Sequence, residues 1–303
     1  MQRTNLNRSH PGGLARTASS RRILVVLFAV CALALTVLSA SAANILLVTN
    51  VGTNGAPDLK VWLEGMGHMV TQDQYADGPP DDGLFDLIIF CRQSNSGDYD
   101  DGTEPADWNA MTTPQIHTHM WTMRSSRLGW QTTTAQPTVT STDYDPYPDL
   151  AHPFFVGITA ADTNVFVDTT VPTCAANASA LLPGTVALAT YNAGANVQIF
   201  EIPINTTFAN SAGASKGKRY GFLFDQTSVS QSQFTNLNAN GLTILSNMVV
   251  ASQSDPDFDA DGMPDAWEQL YTNTNWQVWD ADGDGTKEVV EWGFYALTIN
   301  PDE

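Results

Sequence analysis

Asn44-Ile45-Leu46-Leu47-Val48-Thr49 and Asp86-Leu87-Ile88-Ile89-Phe90-Cys91 decide the fold. Each is a short, almost unbroken apolar run. A strand with one wet face alternates apolar and polar residues. A strand covered on both faces does not, and such strands belong to parallel sheets flanked by helices. Between the two runs, Asn50 to Gly55 is a polar, glycine-bearing turn. Asp58 to Gly67 then sets Leu59, Val61, Trp62, Leu63 and Met66 near helical spacing, and His68-Met69-Val70-Thr71 is a second short strand. This β-α-β-β order predicts a doubly wound α/β domain.

Downstream, Ser94 to Trp130 mixes acidic loop and short helix. Pro105 to Met111 reads as a helix, since proline suits a first turn. Ile116 to Trp121 reads as a strand. Residues 131–215 are rich in Thr, Ala, Asn and Pro and read as short strands and turns, the better strands being Val165-Phe166-Val167, Val186 to Thr190 and Val197 to Ile202. Arg219 to Phe224 is a late core strand. Ser232 to Ser252 is a long helix, which Gly241 weakens without ending.

The two ends differ from this middle. The first 43 of the 303 residues carry five arginines and no acid. Arg21-Arg22, the apolar run Ile23 to Leu38, and Ala40-Ser41-Ala42 form a secretory signal with cleavage after Ala42. The run is short for a membrane span of about 20 residues, so no span is expected after cleavage. Residues 1–42 are thus a signal peptide, 43–252 the α/β domain, and 253–303 a separate module, with the boundary where helix periodicity stops at Ser252 to Pro256. Beyond residue 43 there are 8 Lys and Arg against 32 Asp and Glu, a formal charge of −24. A nucleic-acid partner, which needs a basic face, is therefore not expected. Cys91 and Cys174 remain in an oxidising compartment, where a disulfide and two buried thiols are both open.

The tail carries the chemistry with the clearest spacing. Asp257-Phe258-Asp259-Ala260-Asp261-Gly262, five residues, then Glu268 fits a calcium loop. Asp280-Ala281-Asp282-Gly283-Asp284-Gly285, five residues, then Glu291 fits it again, 23 residues later. Calcium takes six to eight oxygens at about 2.3–2.6 Å, and alternate side chains of a tight loop converge on one point. The expected ligands are Asp257, Asp259, Asp261, the Met263 carbonyl, Asp265 and Glu268 in one loop. In the other they are Asp280, Asp282, Asp284, the Thr286 carbonyl, Glu288 and Glu291. Apolar residues after each loop, among them Trp267, Tyr271, Trp292 and Tyr295, distinguish this segment from a solvated acidic tail.

This segment resembles the dockerin-like and thrombospondin type 3-like calcium repeats of secreted bacterial proteins. The resemblance implies a calcium-stabilised extracellular module, sometimes one that docks another protein. Pro264 and Lys287 stand where EF-hands carry an aliphatic residue, and Pro256 interrupts any helix running into the first loop. Both features depart from a calmodulin-like sensor.

The main domain resembles class I glutamine amidotransferase-like and trehalose-utilisation (ThuA-like) domains. The resemblance rests on the opening strand, on "HPFFVGI" at His152 to Ile158, and on "RYGFLFD" before a long helix. It implies a flavodoxin-like sandwich. Amidotransferase chemistry needs a cysteine on a tight elbow, a histidine and an acid two places on. Cys91 is flanked by Phe90 and Arg92, not by small residues. None of His68, His117, His119 and His152 has an acid two places on. Cys91 therefore reads as a packed thiol. His117-Thr118-His119 reads as half a metal site or as two hydrogen-bonded histidines, and His152-Pro153 as a turn before a strand. The loop Ser94 to Gly102 falls at the carboxyl edge of the sheet, where α/β domains bind ligands. Arg92, Trp108, Arg124 and Arg127 are candidates to gather beside it.

The expected role is that of a secreted calcium-binding protein, extracellular or periplasmic, with a non-catalytic binding or structural role and an extracellular protein or carbohydrate as the candidate partner. The alternatives are a carbohydrate-active or other hydrolase working at the carboxyl edge, and a dockerin-like assembly component.

Overall fold

The structure, a computed structural model, describes residues 42–49, 56–92, 94–140, 150–160, 164–209, 213–225 and 232–253. Both deciding runs are strands. β1 (Asn44–Val48) leads through helix α1 (Pro57–Gly65) to β2 (Met69–Asp73) and then β3 (Leu87–Phe90). All of β3, and all of β1 but its first residue, is buried. β2 alternates exposed and half-buried positions, as an edge strand does. Helix α2 (Glu104–Ala110) precedes β4 (Gln115–His117). The small strands β5 (Thr138–Val139), β6 (Thr173–Cys174) and β7 (Ala176–Asn177) follow. Then come β8 (Val186–Tyr191), β9 (Asn196–Ile202), β10 (Arg219–Phe222) and helix α3 (Ala239–Gln253).

The sheet order is β2-β1-β3-β4-β10-β9-β7, with β8 also on β9. The pairs from β2 to β10 are all parallel. The pairs that β9 makes are antiparallel. The chain is therefore mixed α/β with a mostly parallel central sheet. Odd positions of β1 and β3 (Ile45, Leu47, Leu87, Ile89) pack with Leu59 and Leu63 of α1 and Ile244, Leu245 and Met248 of α3. Even positions (Leu46, Val48, Ile88, Phe90) pack with Trp108, Met111, Met120 and Trp130 on the other face. Burying Leu59 and Leu63 alone contributes about 1.5–3 kcal/mol each. None of the described helices is long and apolar enough to cross a membrane.

Several expectations are corrected. The strand expected over Ile116 to Trp121 ends at His117 and then bends and turns. Val165-Phe166-Val167 is no strand; Phe166 makes a single bridge to Leu237. The last helix does not start at Ser232. A short 3-10 turn spans Phe234–Asn236, and the Asn238 side chain then accepts from the amides of Asn240 (2.9 Å) and Gly241 (3.1 Å), capping α3 one residue before it begins. Gly241 is there for space: a Cβ would stand 2.5 Å from the Val165 carbonyl oxygen. His152-Pro153 does open a turn, a 3-10 one with His152 Nδ1 accepting from the Phe154 amide at 3.3 Å, but further turn and not a strand follows it through residue 157.

Arg219 is the largest charged side chain in the core. Its guanidinium donates to the carbonyls of Thr113 (3.1 Å), Lys218 (3.1 Å), Asn109 (3.3 Å) and Met111 (2.6 Å). Asn109 and Met111 close the carboxyl end of α2, where a cation meets the negative pole of the helix. Burial pulls its pKa down to about 9, with the charge of Asp82 acting the other way.

Candidate functional site

The parallel strands end along one edge, and their chain order reverses between β1 and β3. Open α/β sheets bind ligands in the crevice outside such an edge. Here Thr49 follows β1, Cys91 and Arg92 follow β3, Thr118 to Trp121 follow β4, and Leu223 to Asp225 follow β10. The Thr49 hydroxyl donates to the Arg92 carbonyl at 2.8 Å and ties the first two loops across the reversal.

Asp225 is the centre of this edge. It is fully buried. Its Oδ2 accepts from the Arg92 amide at 3.0 Å and from the Thr118 hydroxyl. Its Oδ1 accepts from the Ser232 hydroxyl at 2.9 Å and the Gln233 amide at 2.6 Å. Burial raises its pKa, and the four donors act against that rise. The carboxylate thus clamps the loops after β3, β4 and β10 together.

His119 is the second buried group. Its Nε2 lies 3.1 Å from the Ser94 hydroxyl, and its Nδ1 accepts from the Trp121 amide at 3.1 Å. A backbone N–H only donates, so Nδ1 carries no proton and Nε2 does. Neutral His119 therefore donates to Ser94. A general base needs the reverse: a bare nitrogen toward the serine and a proton held by an acid behind it. Burial first, then the charges of Arg92 and Arg124, lower the pKa of His119 to about 3.

The other expected groups are equally committed. Cys91 and Cys174 are both free thiols and fully buried. The Cys91 thiol lies 3.7 Å from the Ile89 carbonyl. Burial and then the charge of Asp225 push its pKa well up, away from a reactive thiolate. His117 stacks on Phe90, ring centroids 4.1 Å apart, and meets Trp130 at 4.0 Å. Its Nδ1 lies 2.9 Å from the Thr122 hydroxyl, so the two histidines have separate partners. Among the described residues no three His, Cys, Asp or Glu gather as a metal cluster.

The loop Ser94 to Gly102 is capped by its own residues. Asn95 Oδ1 accepts from the Gly97 amide and its Nδ2 donates to Asp98 at 2.7 Å. Tyr99 is buried and donates to the Gln74 carbonyl at 2.6 Å. Asp100 pairs with Arg127. Trp108 does not join the edge; it is buried against Phe90 and Tyr99. Trp121 stands there instead, with Arg92 and Arg124 over its ring. The expected calcium ligands, Asp257 to Glu268 and Asp280 to Glu291, lie outside the described residues, as does the segment 1–41.

No family model matches the chain, and no curated protein matches it. Two solved structures are similar at low level. One is a cytoplasmic protein from Salmonella typhimurium, 12% identical, covering 68% of this chain and 97% of its own, at a TM-score of 0.40. The other is a candidate GMP synthase component from Thermoplasma acidophilum, 12% identical, covering 70% of this chain and 94% of its own, at a TM-score of 0.38.

Proposed function

We propose that this chain is a secreted calcium-binding protein whose α/β domain, flavodoxin-like in its parallel half, has a non-catalytic binding or structural role. One observation carries the non-catalytic part. Nucleophile and base candidates at the carboxyl edge are buried and bonded to the chain itself. Ser94 accepts from His119, Cys91 is sealed in the core, and Asp225 is saturated by four donors. The calcium part is supported by the two loop patterns in the tail, and export by the arginine–apolar–small order at the N-terminus. Extracellular calcium modules typically bind at roughly 0.1–1 mM, so weak sites would still fill outside the cell.

The hydrolase reading is favoured by one contact, Ser94 Oγ to His119 Nε2 at 3.1 Å. The Trp121 amide on Nδ1 weighs against it, because it fixes the tautomer that cannot take the serine proton. Two labels separate the readings. A fluorophosphonate reports an activated serine, and iodoacetamide an accessible thiolate. The native protein should leave Ser94 and Cys91 unmodified, with Cys91 labelled only on unfolding. A stoichiometric phosphonyl adduct on Ser94 of the native protein would establish the hydrolase.

A further inference from the structure

Beyond residue 43 the sequence has four arginines: Arg92, Arg124, Arg127 and Arg219. Arg219 opens β10 at the amino edge and spends its donors on core carbonyls. The other three all stand at the carboxyl edge, in a stretch whose formal charge is −24. The guanidinium carbons of Arg92 and Arg124 lie 5.2 Å and 4.9 Å from the centroid of the same Trp121 ring. Their charges also meet at His119, which both depress.

The charges in this group are unequally balanced. Arg127 has Asp100. Arg92 feels Asp225, whose carboxylate is buried beneath it. Arg124 feels Asp100, the carboxylate that Arg127 already holds; among the described residues it donates to neutral oxygens, the Trp121 carbonyl at 2.9 Å and the Ser96 hydroxyl at 2.8 Å. Among the described residues no carboxylate forms an ion pair with it. Two carboxylates, Asp100 and Asp225, thus face three guanidiniums here, and a half-buried guanidinium with no carboxylate bonded to it draws anions. Its planar fork also suits the paired oxygens of a carboxylate or sulfate. Trp121 adds a half-exposed aromatic surface beside that fork, a pairing of polar and aromatic groups that suits a sugar.

We propose that Arg92, Trp121, Arg124 and Ser96 form a binding site for the oxyanion of a small acidic ligand, with an acidic saccharide as the class that uses both the guanidiniums and the indole. The proposal rests on reading the α/β domain as a binding protein, and names what it binds.

The full chain is titrated by calorimetry in calcium-free buffer of low ionic strength. Three probes are used: sodium sulfate, a sulfated disaccharide, and the unsulfated disaccharide. The sulfated disaccharide should bind and the neutral one should not. Sulfate should compete, weakly if the sugar ring contributes and fully if the oxyanion alone is read. Arg124→Gln should weaken binding at least 10-fold, and Lys218→Gln, at the opposite edge, should leave it unchanged. A measurement on the unmodified sequence guards against a misfolded variant: the sulfated disaccharide should slow phenylglyoxal modification of Arg124, mapped by mass spectrometry. Absence of heat with both anions, equal binding of the neutral disaccharide, or unprotected Arg124 would overturn the site. None of these results would label Ser94, so the site can fail while the non-catalytic reading stands, and an adduct on Ser94 would defeat that reading alone.

Discussion

Removing the Asp225 side chain tests how the carboxyl edge is held. Asp225→Ala removes the acceptor that serves two backbone donors, the amides of Arg92 and Gln233. A hydrogen bond to a charged acceptor is worth about 1.5–3 kcal/mol, so losing the two costs about 3–6 kcal/mol. The Thr118 hydroxyl also reaches the Phe90 carbonyl at 3.1 Å, so its loss adds little. Removing a buried charge returns part of the total. A net loss of about 3 kcal/mol is expected, lowering Tm by about 6–12 °C for a domain of this size. Asp225→Asn should not restore it. Arg92 sits on one carboxylate oxygen and Gln233 on the other, so either orientation of the amide turns an NH2 toward one of them. Burial raises the Asp225 pKa. Stability from such a group is complete below the unfolded carboxylate range and falls as pH rises through the folded value. The gap between the natural protein and Asp225→Asn should therefore narrow as pH rises above the ordinary carboxylate range. Thermal melts followed by near-ultraviolet circular dichroism decide it. An Asp225→Ala variant melting within about 1 °C of the natural protein would refute the clamp.

Two further outcomes follow from single contacts. Asp82 accepts from the amides and hydroxyls of Thr112 and Thr113, at 2.7–3.0 Å; burial acts to raise its pKa, but these four donors hold it below the usual range. Its contribution is present above the unfolded carboxylate pKa and lost as pH falls through the folded one, so Asp82→Asn should cost about 1–2 kcal/mol at neutral pH and progressively less as pH falls below the ordinary carboxylate range, read by urea unfolding. Gly221→Ala should destabilise by at least about 1–3 kcal/mol in the same assay, because the new Cβ would stand 2.2 Å from the Phe200 ring.

The parallel half of the sheet was legible because its signal is local. The unbroken runs Ile45–Val48 and Leu87–Phe90 say that both faces are covered, and they are. The carboxyl edge was only partly legible. Placing Ser94 to Gly102 there needs the strand before it and the fold rule, and the arginines did gather. Asp225 was missed although it ends the string "RYGFLFD", because its role depends on Arg92 and Thr118, far away in sequence. Trp108 and Trp121 look alike in sequence. Only packing sends the first into the core and the second to the rim. Ile116 to Trp121 was read too long because β-propensity does not see the turn that Thr118 and His119 make beside Asp225.

The central claim, that residues 253–303 bind calcium and fold with it, has a direct test. Each loop would bring five carboxylates together, and like charges about 5 Å apart repel by roughly 3 kcal/mol per pair at an effective dielectric near 20. Folding of so small a segment should then require the ion. Calcium is titrated into the chelator-stripped protein by calorimetry, with circular dichroism and limited proteolysis on the same samples. Binding at two sites is expected, each weakened separately by Glu268→Gln or Glu291→Gln, with chelator exposing the Ser252–Pro256 junction to cleavage while the α/β domain stays folded. No heat at millimolar calcium, together with an unchanged spectrum and cleavage rate in chelator, would contradict the account.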